Sequence, residues 1–225
     1  MRLNSVPGLY RIRLADALQS AGYLVEAAQV YADVKSGPSQ ALFATVSLAG
    51  IHMSLGDYDQ ADRDLDSAHR RYVSFSTNYY AKAVLSAIEF GEGRLSKLRG
   101  NYVAAESSFR SSMADADWIV AHWDPAWGEL ATRGDATSGG SQKEANIQRS
   151  VATKRQIADI YRLRGMLNEA EYWVRRSLVQ SIEMLGVNAP STIDGFTVMS
   201  LVLADQGRNA EAQEIAELCA CQGQT

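Results

Sequence analysis

Three histidines and two cysteines carry the widest chemical reach in this 225-residue chain: His52, His69, His122, Cys219 and Cys221. Such residues can act as general bases, nucleophiles or metal ligands. Their spacing here supports none of those roles. Cys219 and Cys221 stand two apart, too close for an ordinary disulfide framework. They make half of a zinc site, and no second pair completes it. His52 falls on the inner face of its helix and reads as a packed core histidine. His69 and His122 have no ligand-like neighbour at i+3 or i+4. No Ser-His-Asp order can be assembled without a nucleophile elbow. Ala220-Cys221-Gln222-Gly223 echoes part of a cysteine-protease motif, yet Cys219 stands where that motif has glutamine. A helix precedes it where a strand is needed.

Other stretches imitate sites. Gly134-Asp135-Ala136-Thr137-Ser138-Gly139 has the glycine spacing of a phosphate loop. Gly140 follows where lysine should meet the β- and γ-phosphates, and no strand leads in. Arg133-Gly134-Asp135 matches an integrin tripeptide by chance. The run Asp57, Asp59, Asp62, Asp64, Asp66 suggests calcium. Counted from Asp57, however, Asp62 and Ala68 stand where a calcium loop has glycine and glutamate. The run is expected to be a solvated helix face. No catalytic residue, metal or cofactor is therefore expected, and no enzyme. Trp118, Trp123 and Trp127 are open to two readings, as core beside an irregular segment or as exposed anchors for a partner.

Composition narrows the field. Apolar residues make 46% of the chain and charged residues 21%, which suits an ordered protein. A formal charge of −4 argues against nucleic acid or an anionic membrane as partner. No apolar run is long enough to span a bilayer. The first residues, Met1-Arg2-Leu3-Asn4-Ser5-Val6-Pro7, lack the apolar core of a signal peptide. A reducing cytoplasm is the expected location.

The elements that would hold any site are helices joined by one recurring phrase. In Leu55-Gly56-Asp57-Tyr58-Asp59-Gln60-Ala61, Gly56 can end a helix in the left-handed region. Asp57 can cap the next helix. Tyr58 and Ala61 open that helix, the alanine allowing close approach. The phrase returns as Gly22-Tyr23-Leu24 with Ala27 and Gly100-Asn101-Tyr102 with Ala105. It returns again as Gly165-Met166-Leu167 with Ala170 and Gly207-Arg208-Asn209 with Ala212. These glycines stand 34, 44, 65 and 42 residues apart. A period near 34 marks a tetratricopeptide-type repeat.

The chain thus resembles the tetratricopeptide repeat (TPR) family over most of its length. The first repeat supplies Leu14, Ala15, Leu18, Gly22, Leu24, Ala27 and Tyr31. The fourth supplies Ile157, Ala158, Tyr161, Gly165, Leu167, Ala170 and Val174. The third has Glu92 in the usual leucine place, and the fifth lacks its aromatic at Asn209. Leu185-Gly186-Val187-Asn188-Ala189-Pro190-Ser191-Thr192 looks like the inter-repeat loop of the kinesin-light-chain type. The resemblance implies an all-α, right-handed α-solenoid forming a single domain over 1–225. Its repeats lie near 8–36, 39–72, 78–114, 145–182 and 191–219, with an irregular insertion at 115–144.

The resemblance also implies function. In the family the first helix of each repeat lines a concave groove that binds peptides. Its groove positions fall here on Asp16 and Gln19, then Phe43, Val46 and Met53. Phe90, Arg94 and Lys97 follow, then Arg155, Asp159 and Arg162, and last Thr197 and Leu201. The expectation is a scaffold that binds a protein or peptide segment, with an acidic side chain or C-terminal carboxylate at a basic centre. The alternative is a regulatory fragment of a larger protein bearing a caspase-like protease or NTPase domain. Whether Arg94, Lys97, Arg155 and Arg162 face a partner or pair with acids such as Asp159 stays open at this stage.

Overall fold

The computed structural model describes residues 8–34, 38–72, 79–124 and 139–222. Among them ten helices follow one another without a strand. They are α1 (Gly8–Ser20), α2 (Leu24–Ala32), α3 (Pro38–Ser54), α4 (Tyr58–Tyr72), α5 (Tyr79–Leu98) and α6 (Tyr102–Ala121). After the segment 125–138 come α7 (Gly139–Leu163), α8 (Leu167–Leu185), α9 (Pro190–Asp205) and α10 (Asn209–Gln222). Two compact units divide the chain, Met1–Asn101 and Tyr102–Thr225.

The recurring phrase builds one turn five times. Gly22, Gly56, Gly100, Gly165 and Gly207 all have φ between 74° and 85°. At Gly56 the left-handed backbone lets Asp57 N–H reach back to the His52 carbonyl at 2.9 Å, while Gly56 N–H reaches the Met53 carbonyl at 3.2 Å. Those two bonds satisfy carbonyls that the helix end leaves unpaired. The same reach-back, also 2.9 Å, joins Tyr23 to Leu18, Asn101 to Ser96, Met166 to Tyr161 and Arg208 to Leu203. Asp57 accepts the Gln60 N–H on Oδ1 at 3.0 Å, so it is the cap its position announced. The alanine behind each glycine is buried in all five turns, fully at Ala27, Ala61, Ala105 and Ala170. The fifth turn forms without an aromatic at Asn209, because the glycine and the alanine supply the geometry.

Within the first unit each hairpin packs its second helix on the first helix of the next: α2 on α3, and α4 on α5. First helices also meet, α1 with α3 and α3 with α5. One cluster joins Ala15, Ala27, Tyr31, Val34, Ala44 and Ile51; a second joins Ala49, Met53, Ala61, Leu65 and Leu95. A third holds Leu42, Ala68, Val84 and Ile88, with Phe43, Val46 and Tyr72 packed partly against it. Gly91 is where α5 crosses α4 closely: a Cβ there would meet Leu65 Cδ2 at 2.7 Å. In the second unit α6 packs on α7, α7 on α8, α8 on α9 and α9 on α10. Its fully buried large side chains include Phe109, Ile119, Val151, Ile157, Ile160 and Leu203.

Two details differ from expectation. Leu14 is 43% exposed, since the inward face of α1 runs through Arg11, Ala15 and Leu18 and leaves Leu14 a step off it. Helix α7 opens at Gly139, several residues before the expected start near Ala145. First-turn N–H groups have no intrahelical partner anyway, so two glycines there surrender little.

The second unit also buries a polar knot. Lys154 of α7 is 4% exposed. Its Nζ donates to Asp117 of α6 at 3.0 Å, to Ser150 Oγ at 2.6 Å and to Gln180 Oε1 of α8 at 3.0 Å. Ser150 in turn donates to Asp117. Burial lowers the Lys154 pKa, and the Asp117 carboxylate only partly restores it. Further along, Glu171 of α8 accepts from Gln206 at 2.9 Å, Arg175 at 2.6 Å and Arg208 at 2.9 Å. Burial opposes its charge, but those hydrogen bonds win and hold its pKa at about 2.

Replacing Gly56 by alanine forces a Cβ into the left-handed region and is expected to cost about 1–2 kcal/mol, read by urea denaturation. Lys154→Ala leaves a cavity and removes the partner of half-exposed Asp117, and should cost about 1–3 kcal/mol, while Lys154→Met, which keeps the aliphatic packing, should cost less. A lysine whose folded pKa lies below 10.5 sheds its proton more readily when folded. Stability should therefore rise as pH climbs toward 10.5, and Lys154→Met should remove that slope from the pH series. Glu171 slopes the same way in a more acid window: its contribution is full above 4.5 and is lost as pH falls toward 2. Glu171→Gln should flatten that acid limb.

Candidate partner-binding wall

In the first unit the wall is made by two helices whose side chains align at helical spacing. Phe43, Val46 and Gly50 share one face of α3, and Phe90, Arg94 and Lys97 share one face of α5. Phe43 and Val46 are half-buried, resting on Leu42, Ala68, Val84 and Ile88. Phe90 and Lys97 are half-buried too, and both take part in interactions within the chain. Met53 belongs elsewhere. It is 5% exposed and locked among Ala49, Ala61, Leu65 and Leu95, so it holds the hairpin together and offers a partner no surface. Asp16 accepts a hydrogen bond from the Tyr31 hydroxyl. Gln19 is exposed.

Arg94 is the unusual member. Its guanidinium lies against α3 where Gly50 has no side chain: a Cβ on Gly50 would be 3.8 Å from Arg94 Nη1. Burial alone shifts its pKa, downward, with no acid acting against it. No hydrogen bond or ion pair joins Arg94 to any of the described residues. A half-buried cation without a counter-charge is uncommon, because burial removes water that nothing replaces.

The second unit handles its cations differently. Arg155 of α7 donates to the Ser191 carbonyl at 3.1 Å and meets Asp194 of α9 at 3.0 Å. Burial lowers its pKa and Asp194 pulls it back in part. Arg162 donates to Asp159 at 2.9 Å and to Asp205 at 3.0 Å. Burial opposes its charge, but the hydrogen bonds to Asp205 and Asp159 prevail and raise its pKa. Three carboxylates thus face two guanidinium groups. Thr197 donates to the Ile193 carbonyl, and Leu201 is 46% exposed. Asp194 and Asp205 were missed as neutralising groups. They lie on the following first helix, and no local spacing in the sequence ties them to Arg155 or Arg162.

The remaining candidates resolve individually. His52 Nδ1 lies 2.7 Å from Asp64 Oδ2, half-buried between α3 and α4, which is the satisfied histidine expected. The pairing draws Asp64 out of the expected solvated run, while Asp59 and Asp62 stay exposed and meet Arg99. His69 Nδ1 lies 3.2 Å from Glu92 Oε1. Trp118 is 38% exposed and stacks on His122 with ring centroids 4.5 Å apart. Trp127 and the glycine-rich stretch 133–138 lie outside the described residues. Burial raises the Cys219 pKa, which works against a reactive thiolate. Among the described residues no group of three or more His, Cys, Asp or Glu is placed to hold a metal. No helix among them is long and apolar enough to cross a membrane.

Neither a family model nor a curated protein sequence matches the chain. Solved structures do. A Podosopora anserina protein of kinesin-light-chain type, with nearly identical TPR-like repeats, is similar at 16% identity and a TM-score of 0.60. The match covers 95% of this chain and 92% of that one. BtubC (BKLC) from P. vanneervenii is similar at 14% identity and a TM-score of 0.62, over 93% of this chain and 76% of that one. At such identities the likeness speaks for the fold alone. With the five glycine turns and the buried alanine behind each, it shows that this chain has the all-α, TPR-like helical-repeat fold of the α-solenoid class.

Proposed function

We propose that the chain is an interaction scaffold that holds a segment of a partner protein against its first-helix wall. The observation carrying this reading is the wall of the first unit. There Phe43, Val46 and Phe90 keep part of their apolar surface accessible beside a cation with no counter-charge among the described residues. Apolar and aromatic side chains around an arginine are the composition of a binding hot spot. Helices fixed by hairpin stacking would bind with little ordering cost on their own side. The expected preference for an acidic or C-terminal carboxylate segment is narrowed by the pairings of the second unit. Arg155, Arg162 and Asp159 serve the fold there, leaving the wall of the first unit as the place for recognition.

A photo-crosslinking amino acid at Phe43 or Phe90 is expected to trap one protein from native cell extract, whereas the same group at exposed Arg63 of α4 is not. Equal trapping at all three positions would remove the wall from the account. Phe90→Ala should weaken capture of the trapped protein about tenfold or more. Arg162→Gln should leave capture unchanged while costing about 1–3 kcal/mol of stability, because it strands Asp159 and Asp205.

A further inference from the structure

We infer that the furrow between α6 and α8 in the second unit is a docking site for a phosphorylated side chain of a partner protein, received by Arg176. This surface is separate from the wall of the first unit and does not depend on it.

The furrow follows from how the helices stack. Helices α6 and α8 both pack on α7 and not on each other. One face of α7, marked at helical spacing by Ser150, Lys154, Ile157 and Tyr161, floors the gap between them. Arg155, Asp159 and Arg162 stand about a quarter turn or more around the helix from that face. Long side chains span the gap in step. Arg110 of α6 lies over the Trp173 ring of α8, 5.1 Å from its centroid. Seven residues further along both helices, Asp117 and Gln180 meet on Lys154 Nζ, each at 3.0 Å.

Charge along the furrow is not balanced. Lys154 and Asp117 cancel. Arg110 and Arg164 share Glu106, which also accepts from the Tyr161 hydroxyl at 2.7 Å. Arg176 has no carboxylate partner among the described residues; its Nη1 donates to the Tyr172 hydroxyl at 3.1 Å. Four cations thus face two carboxylates, and two positive charges are left over in a chain of formal charge −4. The excess is felt inside the furrow: burial lowers the Lys154 pKa, and the like charge of Arg176 adds to it. Glu169 and Glu183, the acids nearest Arg176 on its own face of α8, stand two turns away on either side.

Arg176 is held ready for a ligand. Its guanidinium carbon lies 5.7 Å from the Tyr172 ring centroid and 5.6 Å from that of Trp173. Ring faces steady the guanidinium while leaving N–H donors at its edge open. A phosphoryl group carries nearly two negative charges and three acceptor oxygens, so one such group matches both leftover charges. A single carboxylate would match one. Exposed Tyr172 and Val179, one turn to either side of Arg176, give the residues flanking the phosphate an apolar surface to rest on.

The test pans a library of random synthetic peptides, each with a central phosphoserine, phosphothreonine or phosphotyrosine, on the full chain. Recovered peptides are then titrated by calorimetry. They should bind the wild type about tenfold or more tighter than their dephosphorylated forms. Arg176→Gln should lose that preference, and Arg63→Gln of α4 should keep it. Arg176→Lys keeps the charge but not the forked geometry, and should restore only part. Arg176 is exposed, so Arg176→Gln should match the wild type in circular dichroism, which separates lost binding from misfolding. Binding should also raise the pH at which Lys154 titrates, followed by NMR of its Nζ, because the phosphate offsets the repulsion from Arg176. An undiminished preference in Arg176→Gln would overturn the assignment. So would equal binding of peptides with glutamate at the phosphorylated position, or recovery of no phosphorylated peptide. Inorganic phosphate, or vesicles containing phosphatidic acid, binding as tightly as the peptide would overturn a partner protein as the source. None of these outcomes touches the wall of the first unit, which the crosslinking at Phe43 and Phe90 tests.

Discussion

A helix hairpin has more apolar surface than its own two helices can hide. In this chain the constraint is met at the turn. The left-handed glycine folds the chain back within two residues, and the alanine behind it lets the backbones come close. Ala27 and Ala61 are fully buried for that reason, and the second helix of each hairpin is then aimed at the first helix of the next. A larger residue at the alanine, or a Cβ at the glycine, would open the hairpin and separate surfaces that have no other partner. Each unit is a succession of such local decisions, and its core is distributed: Tyr31, Leu65 and Ile88 belong to three different clusters of the first unit.

The same economy governs charge. Side chains that cross from one helix to another are paired where they are buried. Lys154 is tied to Asp117, Ser150 and Gln180, and Arg162 to Asp159 and Asp205. These arrangements are poor at attracting ligands because their fields are spent internally. They are better read as register marks, since a slip of one residue would leave a buried charge stranded. Against this pattern the isolation of Arg94 stands out. Burial alone lowers its pKa, as it does that of Arg149, and a few buried polar atoms such as Arg11 Nε also lack a hydrogen-bond partner among the described residues.

The sequence alone determined the helical class, the hairpin turns and the residues that make them. These are short-range matters: glycine at a left-handed position, a cap such as Asp57, an alanine at fixed distance. All of the physics lies within six residues, so the spacing could announce it. It also announced His52 as a satisfied histidine, because its face on the helix could be counted. It could not show that Leu14 is exposed, because Arg11 takes an inward position that hydrophobicity would assign to a leucine.

Only the tertiary structure decided which wall residues are available. From the sequence, Arg94, Arg155 and Arg162 are three cations at comparable places on two first helices. What separates them is the residue across the helix interface: Gly50 opposite the first, Asp194 and Asp205 opposite the others. Met53 likewise reads as a groove residue until Leu65 and Leu95 are seen to enclose it. Electrostatic compensation acts through space over a few ångströms, and residues that meet there are separated in the chain by tens of positions. Local pattern therefore carries the fold, while the charge state of the first-helix wall is written in the packing between helices.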